Sequence, residues 1–181
     1  MTVFITGGCK NGKSTFALGQ ALALSGDGPQ YYVATMDPCD DHERQCIRRH
    51  RAARAGMGFV TLEQPRRLAE VLDRADRAGT FLLDSVTALL ANEMFAGGFD
   101  PRAPARVAEE LAAFLDGVRN CVVVSDYIYA DGADYGPRSE AFRRGLAALD
   151  RLLAERCGCV VEVCAGLPIV QKGRLPGADR K

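Results

Sequence analysis

The 181-residue chain is best approached through what it lacks. No apolar run approaches the length needed to cross a bilayer, so no spanning helix is expected. No basic segment followed by an apolar stretch opens the chain; Met1 leads straight into a β-prone run, and a cytoplasmic protein is expected. Net charge is also missing. Lys plus Arg number 23 and Asp plus Glu number 23, so the global field gives no reason to expect nucleic acid or an anionic membrane as partner. There are no internal repeats and no linker long enough to split the chain, which predicts a single domain over residues 1–181. C-x-x-C pairs are absent too. Cys157-Gly158-Cys159 has the wrong spacing, and no second pair completes a structural zinc site. The seven cysteines are an odd count. Cys121, Cys159 and Cys164 lie in apolar runs and read as buried small hydrophobes in a reducing compartment.

What is present is concentrated at the start. Thr2-Val3-Phe4-Ile5-Thr6 is a short strand. Gly7-Gly8-Cys9-Lys10-Asn11-Gly12-Lys13-Ser14 fits G-x-x-x-x-G-K-[ST] at every fixed position, and a helical pattern follows from Ala17. This is a phosphate-binding loop, or P-loop. Gly7 and Gly12 let the backbone curl with its N–H groups inward. Lys13 reaches the β- and γ-phosphates, and the Ser14 hydroxyl is placed to ligate Mg²⁺. The strand before and the helix after separate the motif from a chance glycine turn. Cys9 sits inside the loop, either as a passive spacer or as a thiol activated by the helix N-terminus and Lys13.

Further strands are expected at Tyr31–Thr35, Phe59–Leu62, Phe81–Asp84, Cys121–Ser125 and Val160–Cys164, with Ile169-Val170-Gln171 as a closing strand. Helices are expected over Glu43–Ala55, Arg67–Ala78, Val86–Phe95, Val107–Val118 and Ser139–Arg156. Asp126–Pro137 reads as a loop near a ligand. The alternation predicts an α/β fold: a mostly parallel sheet flanked by helices, P-loop NTPase-like (RecA-like). In such sheets ligands bind beyond the carboxyl ends of the strands, where the P-loop, Asp84 and the 126–137 loop would gather.

Asp84 ends an apolar strand, as does the acid that holds Mg²⁺ opposite a P-loop serine. The same place suits a helix N-cap before Val86; beside a P-loop the metal role is favoured. His50 stands among Arg44, Arg48, Arg49, Arg51 and Arg54. Such a run is ordinarily a solvated face. With a nucleotide implied nearby, a neutral imidazole there suits attack on phosphorus, the arginines stabilising a departing pyrophosphate. His42 reads as a surface residue.

Several of these segments, taken in order, carry a resemblance: Gly7-Gly8-x-x-x-Gly12-Lys13-Ser14, Tyr32-Val33-Ala34-Thr35, Asp40-Asp41, Ile47-x-x-His50-Arg51 with Arg54, and Thr61-x-Glu63-x-Pro65. Asp84-Ser85-Val86-Thr87 with Asn92, Val124-Ser125, Ala141-Phe142-Arg143 and Ala165-Gly166-Leu167-Pro168 continue it. Together they are similar to the bifunctional adenosylcobinamide kinase / adenosylcobinamide-phosphate guanylyltransferase family of cobalamin biosynthesis. The resemblance implies two reactions. A nucleoside triphosphate (GTP, ATP or either) phosphorylates the aminopropanol hydroxyl of adenosylcobinamide. The histidine matching His50 then attacks the α-phosphate of GTP, and the GMP passes to the cobinamide phosphate. It also implies that Ala34, Thr35, Met36, Arg51, Ala52, Ala53, Arg54, Glu63 and Asp84 surround the guanine nucleotide, that Mg²⁺ is the metal, and that the protein is a homo-oligomer, a trimer being expected. The likeness departs at three places. Arg49 replaces a histidine often found there, Asp126-Tyr127-Ile128-Tyr129 stands where Asn-Glu-Val-Gly is usual, and Asp150-Arg151 replaces an Asn-Gln pair. These changes touch a region that could face the acceptor rather than the nucleotide. Two other readings remain: a kinase or nucleotidyltransferase for another small alcohol, and a non-catalytic GTP-binding relative.

Overall fold

A computed structural model describes residues 1–38 and 41–177; the side chains of residues 42, 43, 46, 49, 50 and 53 also lie outside the described set. Asp40 and the side chains of His42, Arg49, His50 and Ala53 therefore fall outside it.

Seven strands form one sheet in the order β3-β2-β4-β5-β1-β6-β7. They are β1 (Thr2–Gly7), β2 (Gln30–Ala34), β3 (Phe59–Glu63), β4 (Thr80–Asp84), β5 (Asn120–Val124), β6 (Cys159–Cys164) and β7 (Leu167–Lys172). All neighbouring pairs are parallel except β6 with β7. The helices are α1 (Lys13–Leu24), α2 (Asp41–Ala53), α3 (Val86–Phe95), α4 (Ala103–Gly117) and α5 (Pro137–Arg156).

The near-continuous apolar strands reflect burial on both faces, as parallel sheets require. Val3 and Ile5 of β1, Val122 and Val124 of β5 and Leu82 of β4 pack with Ala17, Leu18 and Ala21 of α1. The alternate residues Phe4, Phe81, Leu83, Cys121 and Val123 turn the other way. They join Leu89, Leu111, Phe114, Leu146 and Leu149, so α3, α4 and α5 cover that face. α2 belongs to neither layer; its described side chains are mostly exposed and polar, as its arginine-rich sequence dictates.

The expected elements form, with three corrections. Arg67–Ala78 is not an α-helix: only Leu68–Asp73 is helical, and it is a 3₁₀ turn. Its two buried residues, Leu68 and Val71, are three apart, the spacing that eclipses in a 3₁₀ helix. Arg67, in the left-handed region at φ 53°, ends the approach from Pro65. Cys164, the last residue of β6, is exposed rather than buried; Cys121 and Cys159 are buried as expected. The closing strand is longer than expected, takes in Leu167 and Pro168, and runs antiparallel. Leu167, Ile169 and Val170 on it are all exposed. The alternative, less favoured reading of Asp84 as the cap of α3 falls away. That cap is Ser85, whose hydroxyl accepts from the Ala88 N–H at 3.3 Å.

Candidate active site

The P-loop takes its shape from two glycines with different duties. Gly12 precedes α1 in the left-handed region at φ 85°, where a side chain is strained. Gly7 is needed for packing: a Cβ there would lie 2.4 Å from the backbone oxygen of Val163 on β6. Asn11 ties the loop to that same carbonyl with a 3.2 Å hydrogen bond from its side-chain amide. Ser14 is half-buried in the first turn of α1. Gly8 leads into the loop, while Cys9 and Lys10 are exposed on it.

Lys13 is 5% exposed. Its ammonium donates to the Gly8 carbonyl oxygen at 2.5 Å and lies 2.6 Å from Oδ1 of Asp126. Asp126 is held firmly. Its N–H donates to Thr87 Oγ1 at 2.8 Å, and the N–H groups of its neighbours Ser125 and Tyr127 donate to the carbonyls of Ile5 and Gly7. The expected convergence of the P-loop and the 126–137 loop is therefore direct.

Asp84 sits level with Val124 on β5, which in turn is level with Ile5 on β1. Two strand spacings, about 10 Å, separate it laterally from the P-loop strand. Tyr32 on β2 donates its hydroxyl to Asp84 Oδ2 at 2.7 Å. The guanidinium of Arg54 lies 3.3 Å above the centre of the Tyr32 ring, a cation–π contact, and is 7% exposed. Burial, the Asp84 charge and the hydrogen bond to it all raise the Tyr32 pKa, keeping the phenol a donor. Burial lowers the Arg54 pKa below that of an ordinary guanidinium.

A cavity of about 420 Å³ opens beside this group. Ala34, Met36, Arg44, Ile47, Arg48, Arg51, Arg54, Glu63 and Asp84 line it. The structure thus brings together five of the residues expected around a nucleotide — Ala34, Met36, Arg51, Arg54 and Glu63 — with Asp84. Thr35 is not among the lining residues: its hydroxyl donates to the Ser85 carbonyl and accepts from the Ser85 N–H, both at 2.7 Å, binding β2 to β4. Ala52 is exposed and does not line the cavity either. The arginines of α2, and Arg54 just beyond its end, are also less bare than the sequence implies. Arg51 pairs with Glu63, Arg44 with Asp41 at 3.2 Å, and Arg54 packs on Tyr32.

Three contributors escaped sequence reasoning as site residues. Tyr32 was marked only as part of the Tyr32-Val33-Ala34-Thr35 likeness. Asn92 donates to the backbone oxygens of Thr35 and Pro65 at 2.7 and 3.0 Å, tying together the segments that follow β2 and β3. Asp150 on α5 is 4% exposed and accepts from the Tyr129 hydroxyl at 2.8 Å.

Burial pushes the Asp150 carboxyl up from 3.8 to about 6; the hydroxyls of Ser125 and Tyr129 oppose this in part, and the Asp126 charge adds to it. Because the folded-state value is the higher one, the folded chain binds this proton more tightly than the unfolded chain. Asp150 therefore costs stability above pH 6, and that cost fades as pH falls toward 3.8. Asp150→Asn is expected to stabilise the fold by about 1–3 kcal/mol at pH 7.5, and by much less at pH 4. Urea denaturation at the two pH values measures this; an equal change at both would remove Asp150 titration as the cause.

A P-loop on a mostly parallel sheet, with one strand between the P-loop strand and the strand that ends in an acid, defines the class: a P-loop nucleotide-binding α/β protein. Solved structures agree on the fold. One described as an ATPase domain superposes with a TM-score of 0.55 over 96% of this chain and 77% of that one. An ATPase from the type III secretion system of pathogenic bacteria gives 0.53 over 94% and 56%. Both are 11% identical in sequence, so they show the fold alone.

Sequence comparison is more specific. Residues 3–170 match the family model described as cobinamide kinase / cobinamide phosphate guanyltransferase, and the chain belongs to that family. The bifunctional adenosylcobalamin biosynthesis protein CobP of Pseudomonas aeruginosa is 31% identical over 96% of this chain and 98% of its own length. CobU of Salmonella typhimurium, also named a bifunctional adenosylcobalamin biosynthesis protein, is 37% identical over 54% of this chain and 52% of its own length.

Proposed function

We propose that this chain, acting as one domain, phosphorylates the hydroxyl of adenosylcobinamide with a nucleoside triphosphate. It then transfers GMP from GTP, through a guanylyl-histidine at His50, to adenosylcobinamide phosphate. The observation that carries this reading is the arginine-lined cavity between α2 and the sheet edge, with Asp84 in its wall. Such a cavity suits a nucleoside monophosphate, while the P-loop holds the β- and γ-phosphates.

In the first step Lys13 and the P-loop N–H groups bind and orient the triphosphate. In the second, His50 forms a P–N bond to the α-phosphorus of GTP and pyrophosphate departs with the electron pair of the broken P–O bond. Arg51 and Arg54 suit the charge on the phosphates. A phosphate oxygen of the cobinamide phosphate then takes the GMP and frees His50. Ser14 and Asp84 would hold Mg²⁺. A serine hydroxyl and a carboxylate fit a hard cation completed by phosphate oxygens, and among the described residues no all-protein metal cage competes. When bound, it would neutralise charge developing on the phosphates. The exposed apolar edge at Leu167, Ile169 and Val170 supports a homo-oligomer, for which a trimer is our expectation.

Incubation with α-³²P-GTP and Mg²⁺, followed by denaturing electrophoresis and peptide mapping, tests the reading. We expect label on the His50 peptide that is lost in acid and kept in base, because a P–N bond breaks when its nitrogen is protonated. Absence of label with GTP bound would sink the transferase assignment.

A further inference from the structure

The ion pair between Lys13 and Asp126 points to a residue that the nucleotide-binding reading does not use. A lysine ammonium has three N–H donors. One goes to the Gly8 carbonyl and one to Asp126, which leaves one for a phosphate oxygen. A phosphate can therefore reach Lys13 without expelling the carboxylate. The main chain that carries Asp126 is pinned, its own N–H donating to Thr87 and the next to Gly7, and Lys13 holds the carboxylate.

A phosphate oxygen and Asp126 Oδ1, both bonded to one tetrahedral ammonium, lie roughly 4–5 Å apart. That gap accommodates an attacking oxygen about 3–3.5 Å from phosphorus and about 3 Å from the carboxylate. The carboxylate is 27% exposed, so a proton taken there has a route to water.

From this geometry we propose that Asp126 is a further catalytic residue, the acceptor of the proton from the hydroxyl that attacks the γ-phosphorus. The acceptor oxygen forms a bond to Pγ, and the bond from Pγ to the β,γ-bridging oxygen breaks. The electron pair leaves on the nucleoside diphosphate, and the proton passes to Asp126 and then to solvent. The aspartate of the protein-kinase catalytic loop performs this task on another scaffold. The inference rests on the P-loop holding a triphosphate. It does not depend on which alcohol accepts the phosphoryl group, because water entering the same gap is deprotonated by the same carboxylate.

The test follows γ-phosphoryl transfer from ATP and GTP in single turnover, to water and to adenosylcobinamide, with nucleotide affinity measured separately by calorimetry. Asp126→Asn installs the residue usual at this place in the family likeness, keeps the shape and removes the proton acceptor, so it isolates what the carboxylate adds in this chain. We expect a tenfold to hundredfold fall in the transfer rate to both acceptors, with the Kd for nucleotide within threefold of wild type. Asp126→Glu, which keeps the charge beside Lys13 but moves the carboxylate, should also lose at least tenfold, and it decides the matter should the amide variant fail to fold. A rate within threefold of wild type in either folded variant overturns the proposal. So does nucleotide binding tightened more than tenfold in Asp126→Asn at an unchanged bound-state rate, since Asp126 would then be a mere competitor for Lys13. If the wild type transfers to water but not to cobinamide, the acceptor assignment fails, and the hydrolysis rates still judge Asp126.

Discussion

Lys13→Ala is expected to lower γ-phosphoryl transfer by about 10²–10³-fold, the effect typical of removing one preorganised donor from a developing phosphate charge. The expectation rests on burial. Lys13 is 5% exposed, and its ammonium is fixed by the Gly8 carbonyl and by Asp126 before any nucleotide arrives. A preset charge costs no reorganisation when the phosphate lands. Its alanine replacement removes the cation and leaves the Asp126 carboxylate beside an empty space. We therefore expect a second effect, a loss of about 1–2 kcal/mol in fold stability from an unpaired, partly buried charge. Turnover and chemical denaturation together separate the two. A variant that turns over within threefold of wild type would place the triphosphate elsewhere.

His50→Ala is expected to abolish the acid-labile GMP adduct while leaving GTP bound. The imidazole is the proposed nucleophile, and no arginine on α2 can replace it, because a guanidinium stays protonated and has no lone pair to offer. Position 50 falls three residues after Ile47, on α2, and four before Arg54, just past its end; both of those residues line the cavity. Removing one side chain from a helix whose described side chains are mostly exposed should cost the fold within about 0.5 kcal/mol. Loss of label with an unchanged melting temperature therefore assigns the chemistry to His50. An adduct that persists in the alanine variant moves the nucleophile to another residue.

The parts of this protein that were legible from sequence are those written in neighbouring residues. The P-loop is contiguous, and its glycines, Lys13 and Ser14 act through local backbone geometry and a helix N-terminus. Apolar runs announced the buried strands, and their alternation with helices announced the parallel sheet. The helix expected after Arg67 shows the limit of such reading. Leu68 and Val71 satisfy a 3₁₀ turn as well as an α-helix, and only the packing against the core distinguishes them.

The order of the strands was not written locally, and most of the site depends on it. β5 lies between β1 and β4, which sets Asp126 against Lys13 and keeps Asp84 one strand further out. β2 lies beside β4, which brings Tyr32 to Asp84 across 52 residues of chain. α5 packs behind β5, which buries Asp150 under Tyr129. The sequence by itself determined the phosphate loop, the α/β class and the family motifs, because short-range geometry and residue chemistry suffice for those. Tertiary structure alone decided which acid faces the lysine, which hydroxyl holds Asp84 and which carboxyl is pushed up to about 6. Those are properties of distance and dielectric, and they exist only once remote segments are packed together.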